Sequence, residues 1–339
     1  MSGFVDLDVT LRLPGAPDDE APAMLARRAR EGGVDLLVVG IDGAAPVDAV
    51  GLAATAAMLR AASPSPLLVP AVRPLRHDHL ADLGSVGWRA AVGAPLRPVW
   101  RLLTPVDDAL LLRRVGELAR AHDAVVIVPS VDGGLSAGAI AVEGAIATRL
   151  GIPAMPEAAE AIGVARIIEL ARLTGASFHI VGVFTAAGAR LIADAAGLVS
   201  GSVRPPQLLF DESALLACRY DSALLRSPPL PTASSRVALV EAVRRGVLMV
   251  SSGHTFVPRR ERDLELSRAT PGGTSLSSTA RLLRPLLGDE VLATAWRDAP
   301  RRLLGLPPAP APLPVPANVD DDLSALAALL PAPLPGARP

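Results

Sequence analysis

EGAIATRLGIPAMPEAAEAIGVARIIELARLTGASFHIVGVFT, residues 143–185, is the stretch whose reading decides the fold. It opens as a short helix, breaks at Gly151-Ile152-Pro153, continues as a long amphipathic helix and ends in a near-continuous apolar run. That order is one helix-to-strand unit of an α/β protein. The same alternation extends outward in both directions. Towards the N-terminus, strands are predicted at Phe4–Leu11, Val34–Ile41, Leu67–Val72, Val99–Leu103 and Ala124–Val128, with a further strand-like segment at Trp88–Val92. Helices are predicted between them, one entered through Asp18, Asp19 and Glu20 and closed by Gly32-Gly33, the others near Val47–Ala61 and Asp107–Ala121. Beyond the opening stretch, whose strand covers Ser177–Phe184, a seventh strand is expected at Gly201–Pro206, a helix at Ser234–Arg245 and an eighth strand at Val247–Ser251.

Composition agrees with a large aliphatic core. Of 339 residues 50% are hydrophobic but only 3% aromatic, so the core is built from Ala, Val, Leu and Ile. The net charge of −1 argues against a role driven by bulk attraction to nucleic acid or membrane surfaces. The chain has no lysine, which removes Schiff bases, carbamylated metal bridges and phosphate-loop lysines from consideration. The single cysteine, Cys218, reads as a small buried hydrophobe, and with no internal disulfide available a reducing cytoplasm is the expected setting. Neither a leader nor an apolar run of membrane-spanning length is legible.

The opening stretch also carries a resemblance. Its EG…TRLGIP…PEAAEA pattern is similar to the dihydroorotase branch of the cyclic amidohydrolases, and the likeness extends in order from about Phe4 to Leu306. The resemblance implies a metal-dependent (β/α)8 TIM barrel of the amidohydrolase type. A fold of roughly 250 residues fits residues 1–306. Residues 307–339 read as a proline-rich tail, in which Leu323, Leu326, Leu329 and Leu330 are placed on one face of a short helix. The family's accessory β-sandwich is expected to be lost or vestigial, leaving the worn segment Ala317–Leu323.

What the resemblance implies for chemistry is mostly loss. The first-strand line D-L-D-V-T-L-R-L-P-G resembles D-x-H-x-H-x-R-x-P-G, with Asp8 and Thr10 in place of the two metal-binding histidines and Arg12 retained. Asp42 stands where the family has a substrate-touching asparagine, and a carboxylate there disfavours an acidic substrate such as dihydroorotate. Pro129 and Gly182 replace further metal-binding histidines, Pro206 and Gln207 replace a histidine pair, Pro231 replaces an arginine, and Ser252 replaces the catalytic aspartate. His254 lies one position from a family histidine. Ala269–Leu276 resembles the loop that covers substrate.

Four histidines fall at or near candidate positions. His179 is three residues from the lost ligand position and reads as a packed residue of the helix–sheet layer with one hydrogen bond. Arg76-His77-Asp78-His79 holds the only His-x-His, but two histidines alone make a weak zinc site and a solvated loop is the expected reading. His254 is read as a packed or solvated loop residue, with a pocket role as the alternative.

The resemblance therefore implies a barrel without catalytic residues, metal or other cofactor. Inactive family members serve as structural partners of aspartate carbamoyltransferase in pyrimidine biosynthesis, so that enzyme, an active dihydroorotase, or both are the expected partners in a hetero-oligomer. The alternative is a cyclic amidohydrolase with a site rebuilt from Asp6, Asp8, His254 and His179. A third reading is a small-molecule sensor anchored by Arg12, against which stands an internal ion pair of Arg12 with Asp8.

Overall fold

Runs rich in Val, Leu and Ile form strands that are buried on both faces, as a parallel sheet wrapped by helices requires. In the computed structural model, which describes residues 3–63, 65–76, 79–82, 88–217, 221–266, 268–309, 313–314 and 316–329, eight of these strands are parallel and neighbour one another in chain order. They are β1 (Phe4–Leu13), β2 (Val34–Gly43), β3 (Leu67–Pro70), β4 (Val99–Arg101), β5 (Val125–Pro129), β6 (Ser177–Val181), β7 (Ser200–Val203) and β8 (Leu248–Val250). A parallel bridge from Val72 to Trp100 joins β3 to β4. Beyond β8 the chain continues into His254–Thr255, which pairs in parallel with Val9 and Thr10 and closes the ring onto β1. The architecture is a (β/α)8 TIM barrel, the fold that the resemblance implies.

The 143–185 stretch folds as its pattern requires. A helix over Ala145–Leu150 ends at Gly151 in the left-handed conformation (φ 64°), and a second over Ala158–Thr174 ends at Gly175 (φ 68°), each turn placing positive φ where no Cβ obstructs it. β6 follows directly. The segment expected as a strand at Trp88–Val92 is instead a helical turn. Trp88 and Val92 share a buried face while Ala90, which a strand would place on that same face, is exposed, so the pattern is that of a helical turn. Gly93, at φ 69°, ends it.

At the floor of the barrel the Phe4 ring stacks on Trp296 with centroids 4.5 Å apart. The chain after Pro307 returns over the barrel. Ala317 N donates to Glu31 O at 2.7 Å, Asp321 accepts from Ser278 N at 3.0 Å, and Asp322 pairs with both Nη atoms of Arg262 at 2.7 and 2.8 Å. A helix over Asp322–Leu329 buries Leu323 and Leu326. Leu329 does not join that face, being 65% exposed, because the buried contact ends a turn earlier; Leu330 lies outside the described residues. Among the described residues no helix is long and apolar enough to cross a membrane.

Candidate functional site at the barrel mouth

Side chains at the C-terminal ends of barrel strands converge on a single mouth, which is where this fold places its chemistry. Here the centre is an ion-pair cluster. Asp8 on β1 is almost wholly buried, and its two carboxylate oxygens are taken separately: Oδ1 by Arg101 Nη2 from β4, Oδ2 by Arg204 Nε, just past β7, at 2.6 Å. Arg101 also donates to the Val9 carbonyl at 2.9 Å. Burial pushes the Asp8 carboxyl up, but attraction to Arg204 and Arg101 outweighs it and holds the group below the ordinary aspartate range.

The first strand does not present its polar residues as one row. Register shifts in the β1–β2 ladder between Asp6 and Val9 mark a bulge, and Asp6 Oδ1 accepts from Asp8 N at 2.9 Å across it. Asp6 Oδ2 then accepts from Ser252 N at 2.8 Å and Trp296 Nε1 at 3.0 Å, so this carboxylate ties β1 to the strand-8 exit. Thr10 lines the mouth, 3.5 Å from Arg101 Nη2. Arg12 does not pair with Asp8. It reaches outward to Glu261 with two bonds, at 2.8 and 3.1 Å, and to Asp19 at 3.3 Å, because Asp8 is already neutralised by the two deeper arginines. With Arg12 committed to these carboxylates, it is not a free anion anchor. Asp42 is exposed at the rim, 3.9 Å from Arg12 Nε.

His179 requires a correction. Phe178 is the outward residue, its ring lying against the position a Cβ at Gly116 would occupy, so His179 faces the barrel interior and not the helix layer. There Nδ1 meets Ser200 Oγ at 2.8 Å and Nε2 meets Ser202 Oγ at 3.1 Å, two bonds where one was expected. Burial lowers this imidazole to about 4 despite the attraction of Asp8, so it is neutral at physiological pH. His254 is fully buried and turned away from the mouth. Its Nδ1 accepts from Ser275 N and Leu276 N at 3.2 and 3.3 Å, which leaves the proton on Nε2, donated to Glu20 at 3.0 Å. Glu20 is in turn paired with Arg28 Nε at 2.9 Å.

The other positions at which the resemblance places metal or catalytic groups line or support the mouth without offering metal ligands. Pro129 ends β5 on its wall, Pro206 lies in the first turn of a short helix at its edge, and Ser252 is buried with its hydroxyl accepting from His254 N at 3.2 Å. Gly182 has φ 74°, and a Cβ there would approach Pro228 Cδ to 2.7 Å and Arg204 Cζ to 3.6 Å. A histidine does not fit in that space. Gln207 donates to the carbonyls of Pro228 and Pro229, a structural tie. His79 is exposed, and His77, Asp78 and Cys218 lie outside the described residues.

The metal implied by the resemblance does not fit this donor set. Asp8 is the one replaced position with a metal-binding side chain, and each of its oxygens faces a guanidinium that would repel a cation. Among the described residues no group of three or more His, Cys, Asp or Glu side chains is gathered to hold an ion.

Sequence reasoning missed Arg101, Arg204 and Arg226. A signal was available: V-W-R and S-G-S-V-R each end a buried strand on an arginine. A charge at that position of a barrel faces the mouth. Arg226, in the long connection between β7 and the helix over Ala233–Arg244, had no such cue.

No family model matches the chain. Among curated proteins it is 33% identical over 318 residues to a dihydroorotase of Anaeromyxobacter dehalogenans, covering 90% of this chain and 72% of that one. It is 30% identical over 338 residues to a dihydroorotase of Pelotomaculum thermopropionicum, covering 95% and 77%, and 30% identical over 297 residues to a dihydroorotase-like protein of Pseudomonas putida, covering 84% and 66%. Among solved structures it is similar to a D-hydantoinase of a Thermus species, with a TM-score of 0.72 at 19% identity over 94% of this chain and 74% of that one. An L-hydantoinase of Arthrobacter aurescens follows at 0.69 and 15%, covering 95% and 75%.

Proposed function

Because this chain belongs to the dihydroorotase family, we propose that it is a non-catalytic member, a barrel kept for its surface and its pocket instead of for hydrolysis of cyclic amides. One observation carries the reading: the arginine clamp on Asp8. Arg101 and Arg204 put fixed positive charge at the replaced metal-binding position on β1, and the catalytic aspartate's position is held by Ser252. Without that carboxylate, no base stands ready to take a proton from an attacking water.

The rebuilt-site alternative is disfavoured by the same geometry. Its four members are engaged in four directions: Asp6 with Ser252 and Trp296, Asp8 with arginines, His179 with serines, and His254 with Glu20. The test is metal content by plasma mass spectrometry of protein from zinc-supplemented cells, together with a hydrolysis assay on dihydroorotate and hydantoins. Negligible zinc and no turnover are expected. One or two tightly held ions per chain, or turnover abolished by Asp8→Ala, would overturn the reading.

As partner we propose aspartate carbamoyltransferase, with or without an active dihydroorotase, in a cytoplasmic hetero-oligomer; this part rests on the family resemblance. Co-expression followed by size-exclusion chromatography at micromolar concentration is expected to give one co-eluting species. Two separate peaks would remove that partner.

A further inference from the structure

The mouth holds more positive charge than its own carboxylates consume. A cavity of about 250 Å³ opens there, lined by Arg101, Arg204 and Arg226, with Asp42 the one carboxylate on its wall among the described residues. Asp8 lies behind the first two arginines and neutralises one of them at most. Arg226 is 8% exposed, and its one hydrogen bond runs from Nη1 to the Gly272 carbonyl; Nε and Nη2 have no protein partner. Asp322 attracts it, but that carboxylate is committed to both Nη atoms of Arg262 and to Thr274. Arg101 Nε is likewise buried without a partner. A buried guanidinium with unmet donors is costly, and the cost is relieved when an anion supplies the missing acceptors. Thr10 and Ser252 stand on the same wall.

From this we infer that the barrel mouth is a binding site for a small oxyanion, a carboxylate or phosphate group, held by Arg101, Arg204 and Arg226. The site differs from one built on Arg12, whose guanidinium is spent on Glu261 and Asp19 at the rim. It does not depend on whether the barrel is catalytic. Arg226 is positioned by Gly273, since a Cβ at residue 273 would fall on its guanidinium. Any side chain there displaces the arginine without removing its charge.

Isothermal titration of the full chain at low ionic strength, with inorganic phosphate and separately with malonate, tests the site. Saturable one-to-one binding of at least one probe is expected, and which probe binds identifies the group as phosphate or carboxylate. Arg226→Met is expected to weaken binding roughly tenfold or more, the loss of a charge-assisted bond. Gly273→Ala serves as the second variant, because it moves only the end of a flexible side chain; it should weaken binding comparably. Arg113→Met, on an exposed helix face, should leave binding unchanged. No saturable binding of either probe, or binding unaltered in Gly273→Ala, would overturn the inference. Neither result depends on zinc content or turnover, so failure here is distinct from failure of the non-catalytic reading.

Discussion

Asp8 Oδ2 lies 2.6 Å from Arg204 Nε, a pairing across the barrel mouth between the first strand and the residue that follows the seventh. With Arg101 on the other oxygen, the cluster joins residues 8, 101 and 204 in a site where none is more than modestly exposed.

Breaking such a cluster from the acidic side leaves Arg101 buried beside a second cation. Asp8→Ala is therefore expected to destabilise the fold by about 3–5 kcal/mol. Asp8→Leu combined with Arg101→Met should cost less than Asp8→Ala alone, because no uncompensated charge remains at the deeper arginine. Urea denaturation of the two proteins decides it, and an equal or larger loss in the double variant would show that the pairing is not what holds the mouth together.

Placing histidines at positions 8 and 10 of the first strand should not create a metal site. Asp8→His with Thr10→His supplies two donors, but Gly182 is walled by Pro228 and Arg204, and Pro129 offers none. Zinc well below one ion per chain is expected after dialysis. Stoichiometric zinc in this variant would mean that the arginines swing clear more easily than their burial implies.

Two buried groups give opposite pH dependences. His179 titrates at about 4, below its ordinary 6.5, so the unfolded chain binds more protons between those values. Its contribution to stability is intact above pH 6.5 and lost as pH falls to 4, a loss of about 3 kcal/mol. Glu160 is driven by burial from 4.5 to about 7, despite bonds from Thr185 and Phe184. Its contribution is present below pH 4.5 and disappears as pH rises through 7. The two slopes oppose each other between 4.5 and 6.5. His179→Asn is expected to expose a decline in stability with rising pH, and Glu160→Gln a decline on acidification. Chemical denaturation at pH 4.5, 5.5, 6.5 and 7.5 reads both, and unchanged slopes would count against the burial of either group.

The His254–Glu20 pair is structural and faces away from the cavity. Glu20→Ala should cost about 2 kcal/mol, since it strips the acceptor from His254 and Arg28 together. Anion affinity in the titration above should be unaffected. A parallel loss of affinity would place His254 in the pocket after all.

Much of the frame was legible because it rests on local periodicity. The 143–185 stretch predicted two helices and a strand, and its two glycines sit at the left-handed turns that end those helices. Trp88–Val92 was misread because five residues with apolar ends satisfy a strand and a helical turn equally well, until exposure of Ala90 between the buried Trp88 and Val92 rules the strand out. The residues at the positions where the resemblance places metal ligands were legible, and what those residues pair with was not. The clamp on Asp8 depends on residues 93 and 196 positions away along the chain. Arg12, two residues from Asp8 and the nearer candidate in sequence, turned to Glu261 instead.

The sequence by itself determined the order of strands and helices, the aliphatic core and the absence of lysine chemistry, since each is a property of neighbouring residues or of composition. Tertiary structure alone decided which arginine neutralises Asp8, that His179 points inward onto two serines, and that Arg226 is buried with donors unmet. These are outcomes of closing the barrel. Closure brings the ends of β1, β4 and β7 and the connection that leaves β7 to one mouth, where charge and burial settle pairings that no local pattern encodes.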